Sequence, residues 1–472
     1  MYYPSEKEFL KLAKKGNLVP VYKEIVADLE TPVSAYKKIE SDYSFLLESV
    51  EGGEKIARYS FLGAVPRANV IQPQTLEELN VLLKKYRPVK LPDLPPFSGG
   101  LVGYVSYDAV REIEKIPDRN DDPLKLPKIS FLLADTLLAF DHVKHKILII
   151  ANAHLEKGKD PRQAYRFACA RIEALEKKLR APLTDQIREI TLPIKLPDQK
   201  VISNLKKPEY EAMVKKAKEY IRSGDIIQVV LSQRLEADCQ ADPFDVYRVL
   251  RMINPSPYMY FFKLGELKII GSSPEVMVRL TGRTATVRPI AGTMPRGKDE
   301  AEDKKLEESL LASKKEVAEH VMLVDLGRND LGRVCDFGSV KVTERLAVER
   351  YSHVMHIVSN VSGKLQAKNN AIDLLKACFP AGTVSGAPKV RAMEIIDELE
   401  NLRRGLYAGC VGYLSFSGDL DTAITIRTIL VKNGRAYLQA GAGIVADSDP
   451  AREYQETINK AKALLAAVGY FA

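Results

Sequence analysis

Cysteine is scarce: five residues in 472, at positions 169, 239, 335, 378 and 410. They lie far apart and form no CxxC pair, which argues against a disulfide framework or structural zinc and fits reduced thiols in the cytoplasm. Long apolar runs are missing as well. The best candidate, ISFLLADTLLAF at 129–140, is cut by Asp135 and is too short to cross a bilayer. The opening MYYPSEKEFLKLAKKG has no apolar h-region, so secretion is not expected. A strong charge of one sign is also absent. Lys and Arg number 70 against 62 Asp and Glu, a net charge of +8. Most lysines sit in mixed-sign stretches such as AEDKKLEESLLASKKE, with no basic stripe interleaved with aromatics. No nucleic-acid partner is expected, and a small anionic ligand suits the mild excess as well. There is no repeat of the solenoid type.

What is present is ordinary for a globular chain, 46% hydrophobic and 28% charged, and long enough to bury one large core or two. Three proline-rich joints stand out: RPVKLPDLPPFSGG (87–100), PDRNDDPLKLPK (117–128) and APLTDQIREITLPIKLPDQK (181–200). The last follows the helical pattern AYRFACARIEALEKKL and predicts a boundary between a region 1–190 and a region 200–472. Strand-like runs (YSFLLES, LVGYVSYD, ILIIANAHL, DIIQVVLSQRLEA, LKIIGSS, GRAYLQAGAGIV) arrive in groups. Helical patterns lie at 208–222, 300–332, 388–400 and 450–468. Grouped strands predict an α+β fold with antiparallel sheets over a doubly wound parallel sheet.

Two acidic helical stretches carry the densest chemical signal. In SKKEVAEHVMLVDLGRND, Glu316 and Glu319 stand three apart, with His320 on the same side. In DPAREYQETINKAKALL, Glu453, Glu456 and Lys460 share a narrow face opposite an apolar stripe of Tyr454, Ile458, Ala461 and Leu465. Asp449-Pro450 is its capping start. Solvated Glu–Lys pairs explain one such face. Two ExxE helices without a His or Cys ligand set also admit four carboxylates around a hard cation, Mg²⁺ or Mn²⁺. Spacing alone leaves both readings open.

Other polar residues stand in unusual company. Arg427 falls in the strand-like DTAITIRTILV, where an inward Arg needs a carboxylate and a ligand could provide one. Gly441 and Gly443 in LQAGAGIV could turn backbone N–H groups towards an anion. FPAGTVSGAPK (379–389) is a glycine-rich loop entering a helix, but without P-loop spacing. RPIAGTMPRG (288–297) reads as an extended segment that breaks into a turn at Gly292 and Pro295. Gly292 allows close backbone approach and Thr293 adds a hydroxyl, whereas Ala291 contributes no functional group.

Together GDIIQVVLSQR, GSSPE, RPIAGT, EVAEHVMLVDLGRNDLGRV, YSHVMHIVS, FPAGTVSGAPK, AITIRT and QAGAGIVADSDPAREYQET resemble the chorismate-utilising enzymes, and among them the large subunits of anthranilate synthase. The likeness covers most of the chain and is strongest from about 205 to 466. It implies two large antiparallel β-sheets packed between outer helices, with the active site in the cleft. The region 200–472 would bind chorismate. By analogy Glu319 and Glu456 would ligate Mg²⁺, with Glu316 and Glu453 reaching it through waters, and the metal would hold the ring carboxylate. Arg427 and Tyr407 would take the enolpyruvyl carboxylate. Gly292, Thr293, Thr383, Gly441, Ala442, Gly443 and Lys460 would complete the pocket. Glu275, His356 and Glu316 are the implied catalytic residues. Glu275 would protonate the departing C4 hydroxyl, and His356 matches the position linked to pyruvate loss. A carboxyl packed beside other carboxylates keeps its proton more readily, which suits that acid.

Two positions choose a branch of the family. Aminodeoxychorismate synthases carry a nucleophilic Lys at the position of Ala291, and the isochorismate and salicylate branch carries a water-activating Lys at the position of Gln228. Neither amine is present, so amination at C2 by ammonia, giving anthranilate, is expected. An aminodeoxyisochorismate synthase, stopping before pyruvate loss, is the alternative, and a tryptophan-sensing scaffold without activity is the non-enzymatic one. YSFLLESVEGGEKIARYSFLG (43–63) resembles the effector element of tryptophan-sensitive anthranilate synthases, with Ser49 and Ser60 in place, and NPSPYM (254–259) resembles its partner segment. This predicts an L-tryptophan site at Ser49, Pro257, Tyr258 and Met259. No Cys-His-Glu glutaminase constellation occurs. A separate glutamine amidotransferase subunit is therefore expected, in a heterotetramer of two large and two small subunits.

Overall fold

The computed structural model describes residues 1–471 apart from 50–57, 184–187, 192–199 and 352–353. Most of the 181–200 joint and the centre of the 43–63 element therefore lie outside the described residues. Among those described, a twelve-stranded and a ten-stranded sheet form, and neighbouring strands pair antiparallel. The larger sheet runs from Leu18–Val26 at one edge through Tyr43–Glu48, Tyr258–Leu264 and Leu267–Ser273 to Arg435–Ile444 and Gln228–Asp238. The smaller one includes Ile290–Pro295, Val354–Lys364, Val276–Thr281, Leu420–Ile424 and Gly100–Val105. Residues before 190 and after 200 contribute strands to both sheets. No helix among the described residues is long and apolar enough to cross a membrane.

The period of two along each strand explains the layering. In Tyr258–Leu264, Met259 and Phe261 face a core that packs Tyr36, Phe244 and the helix Pro450–Gly469 onto the outside of the large sheet. Tyr260 and Phe262 face the core between the sheets, where they meet Val102, Tyr104 and Tyr413 of the small sheet. A third core holds the helices Leu76–Leu83 and Ala371–Cys378 against the far side of the small sheet. Strands covered on both faces need not alternate, and Lys146–His154 accordingly reads as the nearly continuous run ILIIANA.

A long two-stranded ribbon joins the sheets. Leu267–Ser273 pairs with Thr428–Lys432 in the large sheet, and the same two chain segments pair again as Val276–Thr281 with Leu420–Ile424 in the small one. The crossover is at Pro274-Glu275 on one side and 425–427 on the other. Bonds from Ile424 N to the Glu275 carbonyl (3.0 Å), from Ser273 Oγ to the Ile424 carbonyl (2.7 Å) and from Ser272 N to the Arg427 carbonyl (3.1 Å) fasten the two bends together. Arg427 is thus not mid-strand as its apolar neighbours predict. The run DTAITIRTILV serves two sheets, and Arg427 takes the bend between them at φ 51°.

Candidate active site

The bends open into a cleft of about 580 Å³ lined by both sheets and by the helices Lys314–Gly332 and Pro450–Gly469. Glu275, Ala291, Gly292, Thr293, Glu316, Glu319, His356, Thr383, Tyr407, Arg427, Gly441, Gly443, Glu453, Glu456 and Lys460 all stand on its walls. Sequence distances of up to 185 positions separate these side chains, and the two sheets bring them to one place. Ala442 does not join them: its side chain is fully buried among Leu231, Ile396 and Ile444, because neighbours along a strand face opposite ways.

Both acidic helices begin at the cleft. Ser313 caps the first by accepting from Glu316 N, and Asp449 caps the second by accepting from Arg452 N. Ser313 also divides the predicted 300–332 helix into Glu300–Ala312 and Lys314–Gly332. Helix N-termini favour carboxylates, which suits acids in the first turns of helices on the cleft wall. Burial first, and then the neighbouring carboxylates Glu316 and Glu456 respectively, raises the proton affinity of Glu319 and of Glu453. Glu453 lies on the buried seam of its helix with Thr457, Ala461 and Leu464, while Tyr454 and Ile458 flank that seam. His320 does not reach the cleft. Fully buried, its Nε2 lies 2.7 Å from Ser359 Oγ.

Gln228 Nε2 donates to Glu319 Oε1 at 3.2 Å, and Lys460 Nζ lies 2.6 Å from Glu456 Oε1. Lys460 Nζ also donates to the Gly441 carbonyl (2.9 Å), and its own carbonyl accepts from Arg427 Nη1 (2.9 Å). The glycines here give their neighbours room, and Gly441 is further confined by the Leu231 carbonyl, 2.9 Å from where a Cβ would lie. A Cβ on Gly443 would lie 2.4 Å from Gln228 Nε2, and one on Gly441 would lie 2.6 Å from the Tyr407 hydroxyl. Among the described residues no three His, Cys, Asp or Glu side chains draw together as a ready-made metal cage. The acidic side chains on the cleft wall offer only carboxylate oxygens, donors of the kind hard cations take, and none of the nitrogen or sulfur ligands zinc prefers.

Glu275 stands on another part of the cleft wall, almost without exposure. Burial holds its carboxyl up to about 8, against the opposing pull of hydrogen bonds from Thr383 Oγ1 (2.8 Å) and the Ile290 amide. Other carboxylates play no part in that shift, contrary to the expectation from sequence. The segment 288–297 differs in form as well. Ile290–Pro295 remains a strand, paired with Val354–Lys364, and Gly292 at φ 68° forms a bulge in it rather than a turn. The bulge turns the Gly292 carbonyl to His356 Nδ1 at 2.9 Å. A carbonyl only accepts, so Nδ1 carries the hydrogen, and burial keeps the ring neutral. Nε2 is therefore the nitrogen with the lone pair.

Arg427 is half-buried, and loss of solvent around its guanidinium weakens its hold on its proton; it forms no ion pair with a carboxylate among the described residues. Tyr407 stands beside it, backed by Arg404, whose guanidinium lies 5.5 Å from the ring centre and is itself locked to Glu400. Lys315, Gln439 and Asn459 also line the cleft and were not singled out from sequence. Asn459 follows Glu456 by three positions, the same interval as Glu453 to Glu456, and that spacing was the available signal.

A second cavity, of about 220 Å³, lies at the other end of the ribbon. Ser49, Pro257, Tyr258 and Met259 share its walls, because Tyr43–Glu48 and Tyr258–Leu264 are adjacent strands with Met259 opposite Glu48. Arg279 and Asp421 of the ribbon form another wall, joined to each other (3.0 Å) and to the Tyr258 hydroxyl (2.9 Å each). Ser49 Oγ is buried with no partner among the described residues. Ser60 is not a wall; its hydroxyl lies 2.8 Å from His142 Nε2.

The sequence profile of the chorismate binding enzyme family matches residues 43–466. The chain belongs to the chorismate-binding enzymes. Within that family it is 52% identical to anthranilate synthase component 1 of Synechocystis and 48% identical to that of Acetivibrio thermocellus, over 99% of each chain in both cases. The crystal structure of anthranilate synthase component I from Streptococcus pneumoniae superposes with a TM-score of 0.78 at 39% identity, covering 93% of this chain and 99% of that one. The family fold of two antiparallel sheets with outer helices is the fold found here.

Proposed function

We propose that this chain converts chorismate and ammonia into anthranilate and pyruvate. One observation carries the choice within the family. Gln228, at the wall beside Glu319, donates through Nε2 and leaves its buried Oε1 with no partner among the described residues. An amide oxygen is a poor base for water but a good acceptor for the N–H of ammonia, and Ala291 leaves space without an amine. The names of the relatives above support the same reading.

In the reaction, Arg427 and Tyr407 bind the enolpyruvyl carboxylate, which supplies the acidic partner that the half-buried guanidinium lacks among the described residues. Glu275, protonated below about 8, gives its proton to the C4 oxygen, which leaves as water. Ammonia, oriented by Gln228 Oε1, adds at C2. Neutral His356 then has a lone pair on Nε2 with which to remove the C2 proton as pyruvate departs. Glu319 and Glu456 would hold Mg²⁺, with Glu316 and Glu453 acting through waters. When bound, the ion supplies positive charge to the ring carboxylate and stabilises the electron density that develops on it.

The second cavity is assigned to L-tryptophan as an inhibitor; Ser49 Oγ, without a partner among the described residues, is a group that a ligand would engage. Its walls Arg279 and Asp421 lie on the ribbon whose bends carry Glu275 and Arg427, which gives a physical route between the sites. Nitrogen would come from a separate glutamine amidotransferase subunit, in a cytoplasmic assembly of two such pairs. The test supplies the purified chain with chorismate, Mg²⁺ and either ammonium or glutamine. Anthranilate is expected from ammonium alone, and from glutamine only after the amidotransferase is added. Equal rates from glutamine without a partner would overturn the reading.

A further inference from the structure

A smaller space lies behind Glu275, and nothing in the reaction above uses it. It offers about 40 Å³, enough for water given that roughly 10–15 Å³ holds one molecule. Glu275 and Thr383 are its common wall with the substrate cleft. Arg288 and Asp330 stand among the other walls, and the buried Nε of Arg288 has no hydrogen-bond partner among the described residues. Most of its walls are apolar, but Glu275, Thr383, Arg288 and Asp330 give a water there the polar partners that a dry apolar void lacks.

Asp330 comes from the same helix as Glu319, about three turns further on. Its Oδ2 accepts from Lys389 Nζ at 2.8 Å, and the lysine also donates to the Cys378 carbonyl at 3.3 Å. The two side chains are only 10% and 12% exposed. Arg333 and the Cys378 thiol are the other titratable groups facing the pair. Burial raises the proton affinity of Asp330, and Lys389 opposes it. An ion pair so placed costs desolvation that an apolar pair would not. Its members come from GRNDLGRV and SGAPK, two motifs whose charged residues the substrate cleft leaves unused.

We propose that Asp330, paired with Lys389, returns a proton to Glu275 through water in this cavity after each turnover. The proposal rests on Glu275 being the acid. Each turnover transfers the Glu275 proton to the C4 oxygen, which departs as water, and leaves a carboxylate in a fully buried position. The proton shed by the nitrogen added at C2 leaves by the cleft. A solvent proton then passes by way of Asp330 and the cavity water to Glu275, so protons balance and Asp330 ends as it began. Asp330 acts through Glu275 and never touches substrate.

The test separates the first turnover from later ones, because resting Glu275 already carries its proton. In D330N, with enzyme in excess over chorismate, Mg²⁺ and ammonium present, anthranilate should form within about twofold of the unmodified rate. With chorismate in excess, a burst of one anthranilate per chain should give way to a steady rate at least tenfold lower. That slow phase should speed up with imidazole buffer concentration, and D330E should restore it. Should D330N fail to fold, A381V narrows the same cavity without touching the ion pair and should show the same burst. Equal slowing of the first and later turnovers, or no slowing of either, would overturn the relay. E275Q distinguishes this from failure of the parent reading: if E275Q turns over normally, Glu275 is not the acid and the relay falls with it. If E275Q is inactive and neither variant shows a burst, the relay alone is wrong.

Discussion

Thr383→Val should move the alkaline limb of catalysis upward. Thr383 Oγ1 donates to Glu275 Oε1 at 2.8 Å, and burial holds that carboxyl up to about 8 while the hydroxyl pulls the other way. A hydrogen bond to a charged group contributes about 1.5–3 kcal/mol, and one pH unit corresponds to about 1.4 kcal/mol, so losing it should raise the Glu275 pKa by about one to two units. The sign follows from which form the bond favours. It stabilises the carboxylate, so without it the acid form survives to higher pH. The limb of kcat/KM should therefore shift from about 8 to roughly 9–10. The assay is anthranilate fluorescence across pH at constant free NH₃, so that deprotonation of ammonium does not contribute. Above its limb each enzyme should lose about tenfold per pH unit. A limb that stays in place, or moves to lower pH, would refute the assignment of Glu275 as the acid and of Thr383 as its regulator.

Glu319→Gln and Glu456→Gln should each remove most activity while circular dichroism stays unchanged, and excess EDTA should stop the unmodified enzyme; full turnover in EDTA would exclude the metal. Ser49→Phe should relieve inhibition by L-tryptophan with little change in the uninhibited rate. The chain contains no tryptophan, so fluorescence of the added ligand reports binding directly, and chorismate should weaken that binding by the factor with which tryptophan weakens chorismate. Gly443→Ala places a Cβ 2.4 Å from Gln228 Nε2 and should cut the ammonium-dependent rate, with a displacement of about 1 Å costing up to roughly a hundredfold; an unchanged rate would dissociate Gln228 from nitrogen addition. Ala291→Lys should lower anthranilate formation, and mass spectrometry should find any ring adduct on the new amine.

Much of the site was legible because its chemistry depends on residue type and short spacing. Helical intervals put Glu316 with Glu319, and Glu453 with Glu456 and Lys460, on shared faces but left solvated pairs as an open reading; the family resemblance joined them, and the structure places all five on one cleft. What sequence could not convey was which sheet a strand joins. DTAITIRTILV has the composition of one strand, yet hydrogen-bond partners from two sheets divide it at Arg427. The same long-range pairing places Ala442 in the core between two glycines that face the cleft. The cause of the raised Glu275 pKa was misread for a related reason. Desolvation depends on what packs around a side chain from distant segments, and neither Thr383 nor the Ile290 amide lies near Glu275 in the chain. Both regions either side of the 181–200 joint share both sheets, an arrangement that proline-rich punctuation does not encode.

The most direct test of the central claim is product stoichiometry. The purified chain would be given chorismate, Mg²⁺ and ammonium at alkaline pH, and anthranilate and pyruvate would be measured in the same quenched samples. Amination at C2 followed by His356-assisted loss of pyruvate predicts that the two products appear together, one for one with chorismate consumed. Chorismate disappearing into an aminated product that still carries its enolpyruvyl group, with no pyruvate released, would contradict the account.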